Sequence, residues 1–338
     1  MFKPSSVQRI LIIRTDRLGD CLMNIPLINR LRTNYPKALI TVLTTKANRP
    51  LFQYHMSVND LWTAEENDLQ RWPGRIKLWK KMRGARFDLV VMTQSSKLFH
   101  TITFLAGIKY RLGFKRKWPF LLTHSIPDTK ASSGAHEIDS NLKLLDLVCK
   151  LPWKRDLDLG FDMVNEYREI KHKIGIIEGK KHIVFHVTTT DPRKEMPLKV
   201  FKDTINLFLK KPRYRVFLVG VESNKKIEQE LDIAPNPGFS NLLGQTNLVE
   251  LGILLRESDC LISLDSGPMH LAWMLRLPVV GIFVSGLTGS NPKRWGIYKG
   301  FAPFKHLVAK AEELEADAIV HAAKDIIEEA SALEDISH

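Results

Sequence analysis

Residues 258–272, SDCLISLDSGPMHLA, join a short apolar run to a tight turn and the start of a helical pattern. The run Cys260–Leu264 predicts a buried strand, and the Gly-Pro pair after Ser266 suits a turn that opens a helix. Asp265 and Ser266 would then stand at the carboxyl end of a strand, where open α/β sheets bind their ligands. The free N–H groups of such a helix favour an anion, although either side chain could instead serve as a helix cap.

The same succession of strand, polar loop and helix recurs along the chain. It begins with the apolar run Ile10–Ile13, the loop Arg14–Asp20 and a helical pattern, and a second series restarts at His182–Val187. This repetition is typical of doubly wound parallel sheets and predicts two α/β halves. A polar link is expected from Pro152 towards residue 180. Val279–Val284 is predicted as the last strand, before one or two terminal helices.

The composition sets limits on the class of protein. A chain of 338 residues with 44% hydrophobic and 26% charged residues is typical of a soluble protein with two domains. It has no apolar run of roughly 18 residues for a membrane span and no signal-peptide core, so a cytoplasmic location is expected. Cys21, Cys149 and Cys260 lack paired spacing, which argues against a disulfide framework or a zinc site.

Positive charge is concentrated in the first half of the chain. Residues 1–155 carry 27 Lys and Arg against 11 Asp and Glu, whereas residues 156–338 carry 23 against 26. Such an excess indicates an anionic partner, which could be a nucleic acid, a membrane surface or a phosphorylated substrate. Part of it lies in Arg71–Arg86, which predicts a basic amphipathic helix with Trp anchors, and part in Lys109–Trp118. Either cluster could also be an ordinary solvated face.

The loops of the second half carry groups suited to a nucleotide. Thr188–Pro197 follows a predicted strand and offers hydroxyls and a Lys for phosphate. Glu222 follows the predicted strand Arg215–Val219, where a carboxylate can accept ribose hydroxyls. Asp156–Asp158 has the D-x-D pattern of metal-dependent sugar transferases, but it falls in the link and is not assigned a function.

Several short motifs, taken together, resemble glycosyltransferase family 9, the ADP-heptose:lipopolysaccharide heptosyltransferases. They recur in order over nearly the whole chain: Ile12–Asp20, His136-Glu137, Leu243–Thr246, Asp265–His270 and Trp295-Gly296. The resemblance implies a GT-B fold, in which two Rossmann-like domains face each other across a cleft. The expected domains are residues 1–160 for the acceptor and 161–318 for the nucleotide-sugar, with a helix at 319–338 packing back on the first domain.

The resemblance also implies an inverting, metal-independent transfer of heptose from ADP-heptose to the lipid A–Kdo inner core, with no cofactor. The enzyme would work at the cytoplasmic face of the inner membrane. The family's general base falls on Asp20, where a carboxylate can take the proton of the attacking hydroxyl. Asp20 could also be the N-cap of the helix that follows.

The donor site implied by the resemblance lies in the second half. Lys194 would offset charge on the departing diphosphate, Glu222 would bind ribose and Asp265 would hold sugar hydroxyls. The other donor-binding residues implied are Thr188, Thr189, Thr190, Thr246, Ser266, Gly267 and His270. His270 alone would more often be a core or capping histidine.

Basic residues of the first half are predicted to bind the anionic acceptor: Arg14, Arg17, Lys46, Arg49, Arg75, Lys80, Lys81 and Arg116. Two other functions stay open. A family 9 relative could use a hexose or N-acetylhexosamine donor, and the basic half could instead belong to a non-catalytic nucleic-acid-binding protein. No nucleic-acid-binding motif was found, so no nucleic acid is expected.

Overall fold

A computed structural model describes residues 6–130, 132–155, 157, 159–161, 164–220, 225–287 and 290–337. The chain forms two compact units, Met1–Gly160 and Phe161–His338. Each contains one six-stranded sheet whose paired strands are all parallel, which confirms the prediction of two doubly wound, Rossmann-like halves.

The first sheet has the strand order β3-β2-β1-β4-β5-β6. Its strands are β1 Arg9–Ile13, β2 Leu39–Thr44, β3 Asp60–Thr63, β4 Leu89–Met92, β5 Tyr110–Phe114 and β6 His124–Ile126. β1 and β4 lie at its centre and are almost entirely buried, as their continuous apolar sequences require. The helices of this unit are α1 Leu18–Leu22, α2 Ile25–Asn34, α3 Pro50–Gln53, α4 Glu66–Gln70, α5 Trp72–Ala85, α6 Lys97–Leu105 and α7 Glu137–Leu144.

Arg30 of α2 forms hydrogen bonds with the last segment of the first unit. Its guanidinium donates to the carbonyls of Leu142 (2.7 Å), Cys149 (3.5 Å) and Leu151 (3.0 Å). Asn34, one turn further along α2, accepts from the backbone N–H of Leu151 at 2.9 Å. These bonds satisfy the carbonyls of one residue in α7 and two beyond it, and they make the segment up to Leu151 part of the first unit.

The second sheet has the strand order β12-β11-β10-β7-β8-β9. Its strands are β7 Lys181–His186, β8 Tyr214–Gly220, β9 Phe239–Leu243, β10 Cys260–Leu264, β11 Val279–Val284 and β12 Phe304–Ala309. Its helices are α8 Tyr167–Ile174, α9 Leu198–Leu209, α10 Lys225–Leu231, α11 Leu248–Arg256, α12 Gly267–Met274, α13 Pro292–Trp295 and α14 Ala316–Ser337.

Aromatic and aliphatic side chains fill the core of the second unit. Phe185 of β7 and Phe208 of α9 pack edge to face with ring centroids 6.2 Å apart. The terminal helix α14 buries Ile319, Ala323 and Ile326 in this same core. The apolar stripe at helical spacing near the end of the chain therefore covers the second sheet.

Two predictions about the second half were wrong. Val279–Val284 is followed by a further strand, β12, at the sheet edge. Lys305 of β12 is exposed and its neighbours are half-buried, so its sequence lacks the apolar run that predicts a buried strand. The expected polar link contains the helix α8, which has few apolar residues and buries Ile174. Asp156 and Asp158 of the D-x-D pattern lie outside the described residues.

Each sheet has one point at which the strand order reverses. In the first unit this point lies between β1 and β4, and in the second it lies between β7 and β10. Loops leave the carboxyl ends of such neighbouring strands in opposite directions, and the crevice between them is where doubly wound sheets bind ligands.

Candidate functional site

The reversal point of the first sheet holds an ion pair between a buried arginine and a half-buried aspartate. Arg14 follows β1 directly and is 5% exposed. Its guanidinium lies 2.5 Å from a carboxylate oxygen of Asp20 and 2.6 Å from one of Asp16. Asp20 lies inside the short helix α1, whose N-cap is Arg17, so the alternative that Asp20 is an N-cap was wrong.

Burial and charge act in opposite directions on Asp20. Burial raises the pKa of this carboxyl above its ordinary value, while the nearby Arg14 guanidinium lowers it. The carboxyls of Asp16 and Glu137 add to the increase, and the ammonium of Lys130 counters it. A carboxylate with a raised pKa holds a proton better than a solvated one, which suits a group that accepts a proton during catalysis.

Hydrogen bonds hold this pair in one geometry. Arg14 donates from its other terminal nitrogen to the Thr93 hydroxyl at 3.1 Å, just beyond β4. Thr93 donates to the side-chain oxygen of Asn24 at 2.8 Å, and Asn24 donates to the Asp20 carbonyl at 2.7 Å. The ring of contacts joins both central strands to α1. Neither Thr93 nor Asn24 was a candidate from the sequence, because their roles depend on a contact across 69 residues.

A second buried pair lies close enough to affect Asp20. Lys130 Nζ donates to the Glu137 carboxylate and, at 2.8 Å, to the side-chain oxygen of Asn141. Lys130 and Glu137 are both buried. Glu137 belongs to the quoted His136-Glu137 motif, where His136 caps α7 by accepting from the N–H of Ile138. The motif therefore contributes a buried charge as well as a helix start.

The residues predicted to bind the acceptor differ in burial and lie in different parts of the first unit. Arg14 is buried against two carboxylates. Arg17 is exposed beside α1, and Lys46 and Arg49 are exposed after β2, at the same sheet edge as Asp20. Arg116 is exposed beyond β5 and lies 3.5 Å from Asp128. Their role as acceptor ligands stays a prediction.

The other three predicted acceptor residues lie on α5. Arg75 donates to the carbonyl of Leu69 at 2.6 Å, and the ammonium of Lys81 lies 4.0 Å from the centre of the Trp62 ring. Lys80 is exposed. The two Trp residues of this helix differ, since Trp79 packs against the core and Trp72 is 73% exposed. The contacts of Arg75 and Lys81 give both a structural task within their own unit.

The reversal point of the second sheet brings the predicted phosphate and sugar ligands together. Lys194 Nζ lies 2.6 Å from the Asp265 carboxylate, across the gap between the loops after β7 and β10. Burial raises the pKa of Asp265, and the Lys194 ammonium opposes that change. Lys194 closes a short helical turn that Asp191 caps. A cation and an anion from separate loops thus meet where a nucleotide-sugar is expected.

His186, which was not a candidate from the sequence, links the same two loops. Its Nδ1 lies 3.0 Å from the hydroxyl of Ser266, and its Nε2 lies 3.0 Å from that of Thr188. Burial lowers the pKa of His186 to about 4, so the ring is neutral at physiological pH. A neutral imidazole has one donor and one acceptor nitrogen, so it fixes opposite hydrogen-bonding roles for the two hydroxyls. The sequence of β7, an apolar run that ends in His186, does not indicate this role.

The first turn of α12 has no side-chain N-cap hydrogen bond. Ser266 occupies the N-cap position with extended backbone, but its hydroxyl makes no cap hydrogen bond and contacts His186 instead. The backbone N–H groups at the start of α12 therefore remain suited to an anion. His270 is buried, and its Nδ1 accepts a bond from Trp273 Nε1 at 3.4 Å. That contact is the one expected of a core histidine.

The remaining predicted donor residues lie around this turn or outside the described part of the chain. Thr188 and Thr189 are half-buried after β7, and Thr190 is exposed. Thr246 immediately precedes Asn247, which caps α11. Glu222 lies outside the described residues. Within the described ranges, no group of three or more His, Cys, Asp or Glu residues could hold a metal ion.

The chain has two Rossmann-like units, as the GT-B fold does, with the Asp20 carboxylate at the reversal point of one sheet and the Lys194–Asp265 pair at that of the other. A family model described as glycosyltransferase family 9 (heptosyltransferase) matches residues 75–313. The chain belongs to glycosyltransferase family 9.

Relatives and solved structures agree with this assignment. The chain is 22% identical to the lipopolysaccharide core heptosyltransferase OpsX of Haemophilus influenzae, over 85% of this chain and 81% of that protein. Its fold matches the E. coli ADP-heptose lipopolysaccharide heptosyltransferase II with a TM-score of 0.78 and 21% identity, covering 95% and 99% of the two chains. It matches E. coli heptosyltransferase WaaC with ADP with a TM-score of 0.75 and 15% identity, covering 96% and 100%.

Proposed function

We propose that this glycosyltransferase moves a heptose from ADP-heptose to the lipid A–Kdo inner core of lipopolysaccharide, with inversion and without a metal ion. The observation that carries this proposal is the pair formed by buried Arg14 and half-buried Asp20 at the reversal point of the basic unit. Support for the donor and acceptor comes from the relatives, whose names specify ADP-heptose and lipopolysaccharide.

Asp20 acts as the general base. The acceptor hydroxyl oxygen attacks the anomeric carbon of the donor, and Asp20 takes the proton of that hydroxyl. The bond between the anomeric carbon and the diphosphate oxygen breaks, and ADP leaves with the electron pair. Attack opposite to the leaving group inverts the anomeric centre. Arg14 keeps the carboxylate oriented, and burial keeps its pKa high enough to accept the proton.

The loops of the second unit bind and stabilise the leaving group. Lys194 supplies a positive charge for the diphosphate, together with the N–H groups of Ser266 and Gly267 at the start of α12. Asp265 accepts hydrogen bonds from sugar hydroxyls when the donor enters. The hydroxyls of Thr188 and its neighbours contact the phosphates, and Glu222 is assigned to the ribose.

The exposed cations at the carboxyl edge of the first sheet bind the acceptor. Arg17, Lys46 and Arg49 lie at this edge, as Asp20 does. Kdo carboxylates and lipid A phosphates are anions, so this edge is complementary in charge to the acceptor. A lipid-anchored acceptor requires the enzyme to work at a membrane surface, and the cytoplasmic face of the inner membrane is the proposed place. No described helix is long and apolar enough to span a bilayer.

A transfer assay with ADP-heptose and lipid A–Kdo acceptors of defined length tests the proposal. The expected product is a heptosyl-acceptor with inverted anomeric configuration, formed together with ADP. Thermal unfolding in the presence of ADP-, UDP- and GDP-sugars identifies the nucleotide, because a ligand that binds the folded protein raises its melting temperature. A shift with UDP-hexose or UDP-N-acetylhexosamine, without a shift for ADP-sugars, would assign a different donor to the same site.

A further inference from the structure

Four large apolar side chains lie exposed along one edge of the first unit. They are Phe104 (48% exposed), Leu105 (54%), Trp118 (45%) and Phe120 (75%), and we call them the aromatic edge. An exposed group of this size needs a reason, because soluble proteins rarely leave several large apolar side chains together in water.

Contacts with basic side chains join the two halves of the aromatic edge. The rings of Trp118 and Phe120 lie 6.2 Å apart, and the ammonium of Lys97 lies 5.2 Å from the Trp118 ring. At the other end of α6, the guanidinium of Arg111 lies 5.3 Å from the Phe104 ring and donates to the Leu121 carbonyl at 2.7 Å. The helix α6 and the turn after β5 therefore form one surface.

The turn that presents Trp118 has a strained backbone. Lys117 and Trp118 have φ values of 50° and 65°, in the left-handed region that bulky residues avoid. A bulky residue in this region strains the backbone and keeps the conformation only where its surroundings enforce it. Here the ring nitrogen Nδ1 of His100 donates to the Lys117 carbonyl at 2.9 Å. The structure thus holds Trp118 outward at a cost in stability.

The surroundings of the aromatic edge are positively charged. Between Asp88 and Asp128 the sequence contains six Lys or Arg residues and no acidic residue. Lys115, Arg116 and Lys117 are exposed beside Trp118, on the turn that leads to the edge strand β6. The aromatic edge is therefore bordered by exposed positive charge.

We propose that the aromatic edge is a docking surface for an anionic lipid bilayer. Aromatic rings that sit at the interface and neighbouring Lys and Arg that attract anionic headgroups are the two features required. Leu105 favours a bilayer over a single-stranded nucleic acid, since an aliphatic side chain gains from burial among acyl chains but cannot stack on bases. This inference rests on the proposed work at a membrane surface and adds which residues make the contact, and its test needs neither donor nor acceptor.

The test is co-sedimentation of the full chain with phosphatidylcholine vesicles, with and without phosphatidylglycerol, in the absence of any nucleotide-sugar. Binding is expected with phosphatidylglycerol and not with phosphatidylcholine alone. The double variant Trp118→Ser/Phe120→Ser should weaken it by about tenfold or more, because two large apolar side chains no longer insert among the lipids. Lys115→Gln/Lys117→Gln should weaken it most at low salt.

Met56→Ser is the matched control, because Met56 is 75% exposed in the same unit and lies outside the aromatic edge. It should bind like the unaltered protein. Three results would overturn the proposal: equal binding to neutral vesicles, loss of binding with Trp72→Ser but not with the double variant, or displacement from vesicles by single-stranded DNA. A failed transfer assay would leave this result unaffected, since the vesicles contain no substrate.

Discussion

Lys194 and Asp265 stand 71 residues apart in the sequence and meet with Nζ and Oδ2 separated by 2.6 Å. The Lys194 ammonium, which is proposed to bind the diphosphate, is therefore already paired with the Asp265 carboxylate, which is proposed to bind sugar hydroxyls. Both side chains are largely buried, and the Lys194 ammonium opposes the increase that burial causes in the pKa of Asp265. A bound donor would exchange part of this ion pair for its own contacts, with its diphosphate on Lys194 and its sugar hydroxyls on Asp265. Both side chains would then keep a polar partner.

Replacing Lys194 by Met should raise the KM for the donor and lower kcat, because the charge that stabilises the leaving diphosphate is lost. A decrease in kcat/KM of about 100-fold or more is expected for one such charged contact. Steady-state kinetics with varied donor measures it. Lys199→Met is the matched control, since Lys199 pairs with Asp203 on the exposed face of α9 and should have normal kinetics. Equal kinetics for the two variants would contradict the assignment.

Replacing Asp20 by Asn should lower kcat by about 100- to 10,000-fold, because proton transfer is lost together with the charge that pairs with Arg14. The KM for the donor should change little, since neither Asp20 nor Arg14 is proposed to bind the donor. Asp16→Asn removes the other carboxylate on Arg14 and should cost much less. Near-normal turnover of Asp20→Asn with both substrates saturating would rule out Asp20 as the base.

The pH profile of kcat gives a separate test of Asp20. The base must be ionised, so activity falls as the pH drops through its pKa in the substrate complex. Because burial raises that pKa, the fall should begin above the range of an ordinary Asp, which is about 3.9. In Arg14→Gln the lowering effect of the guanidinium is removed, so the acid limb should move to higher pH. A limb that does not move would mean that another group controls the profile.

Replacing His186 by Phe should raise the KM for the donor by about tenfold, because the hydroxyls of Thr188 and Ser266 lose the ring that orients them. His182→Phe is the control, since His182 is similarly buried at the other end of β7. It should affect stability without a change in the donor KM. The melting temperature of both variants separates a folding defect from a binding defect.

Transfer should continue in excess EDTA, since Lys194 and the N-terminus of α12 supply the positive charge at the diphosphate. Initial rates with and without the chelator measure this. Loss of activity that Mg²⁺ or Mn²⁺ restores would contradict the proposed mechanism.

The sequence predicted the general fold because its strands are continuous apolar runs. Ile10–Ile13 and Cys260–Leu264 both form central strands that are buried on both faces. β12 was missed because an edge strand mixes exposed and half-buried residues and has no such run. α8 was missed because it has only eight residues, most of them polar, and one buried residue, Ile174.

The candidate site was predicted only in part, for a physical reason. Asp20 lies in the segment that follows β1, and Lys194 and Asp265 lie in the segments that follow β7 and β10. Parallel topology brings such segments to the carboxyl edge of their own sheet. His186 and Thr93 act through side-chain contacts between loops that are far apart in the chain. Local sequence carries no record of such contacts, so those residues emerge only from coordinates.

The carbonyl bonds of Arg30 have a consequence for exchanging parts between relatives. Leu142, Cys149 and Leu151 accept from one guanidinium on α2, although they lie more than 110 residues further along. A chimera joined between α7 and Leu151 would take Arg30 from one parent and the residue whose carbonyl accepts from it, Leu151, from the other. A junction placed after Leu151 keeps both sides of this contact from the same parent, and should yield soluble hybrids for swapping acceptor preference.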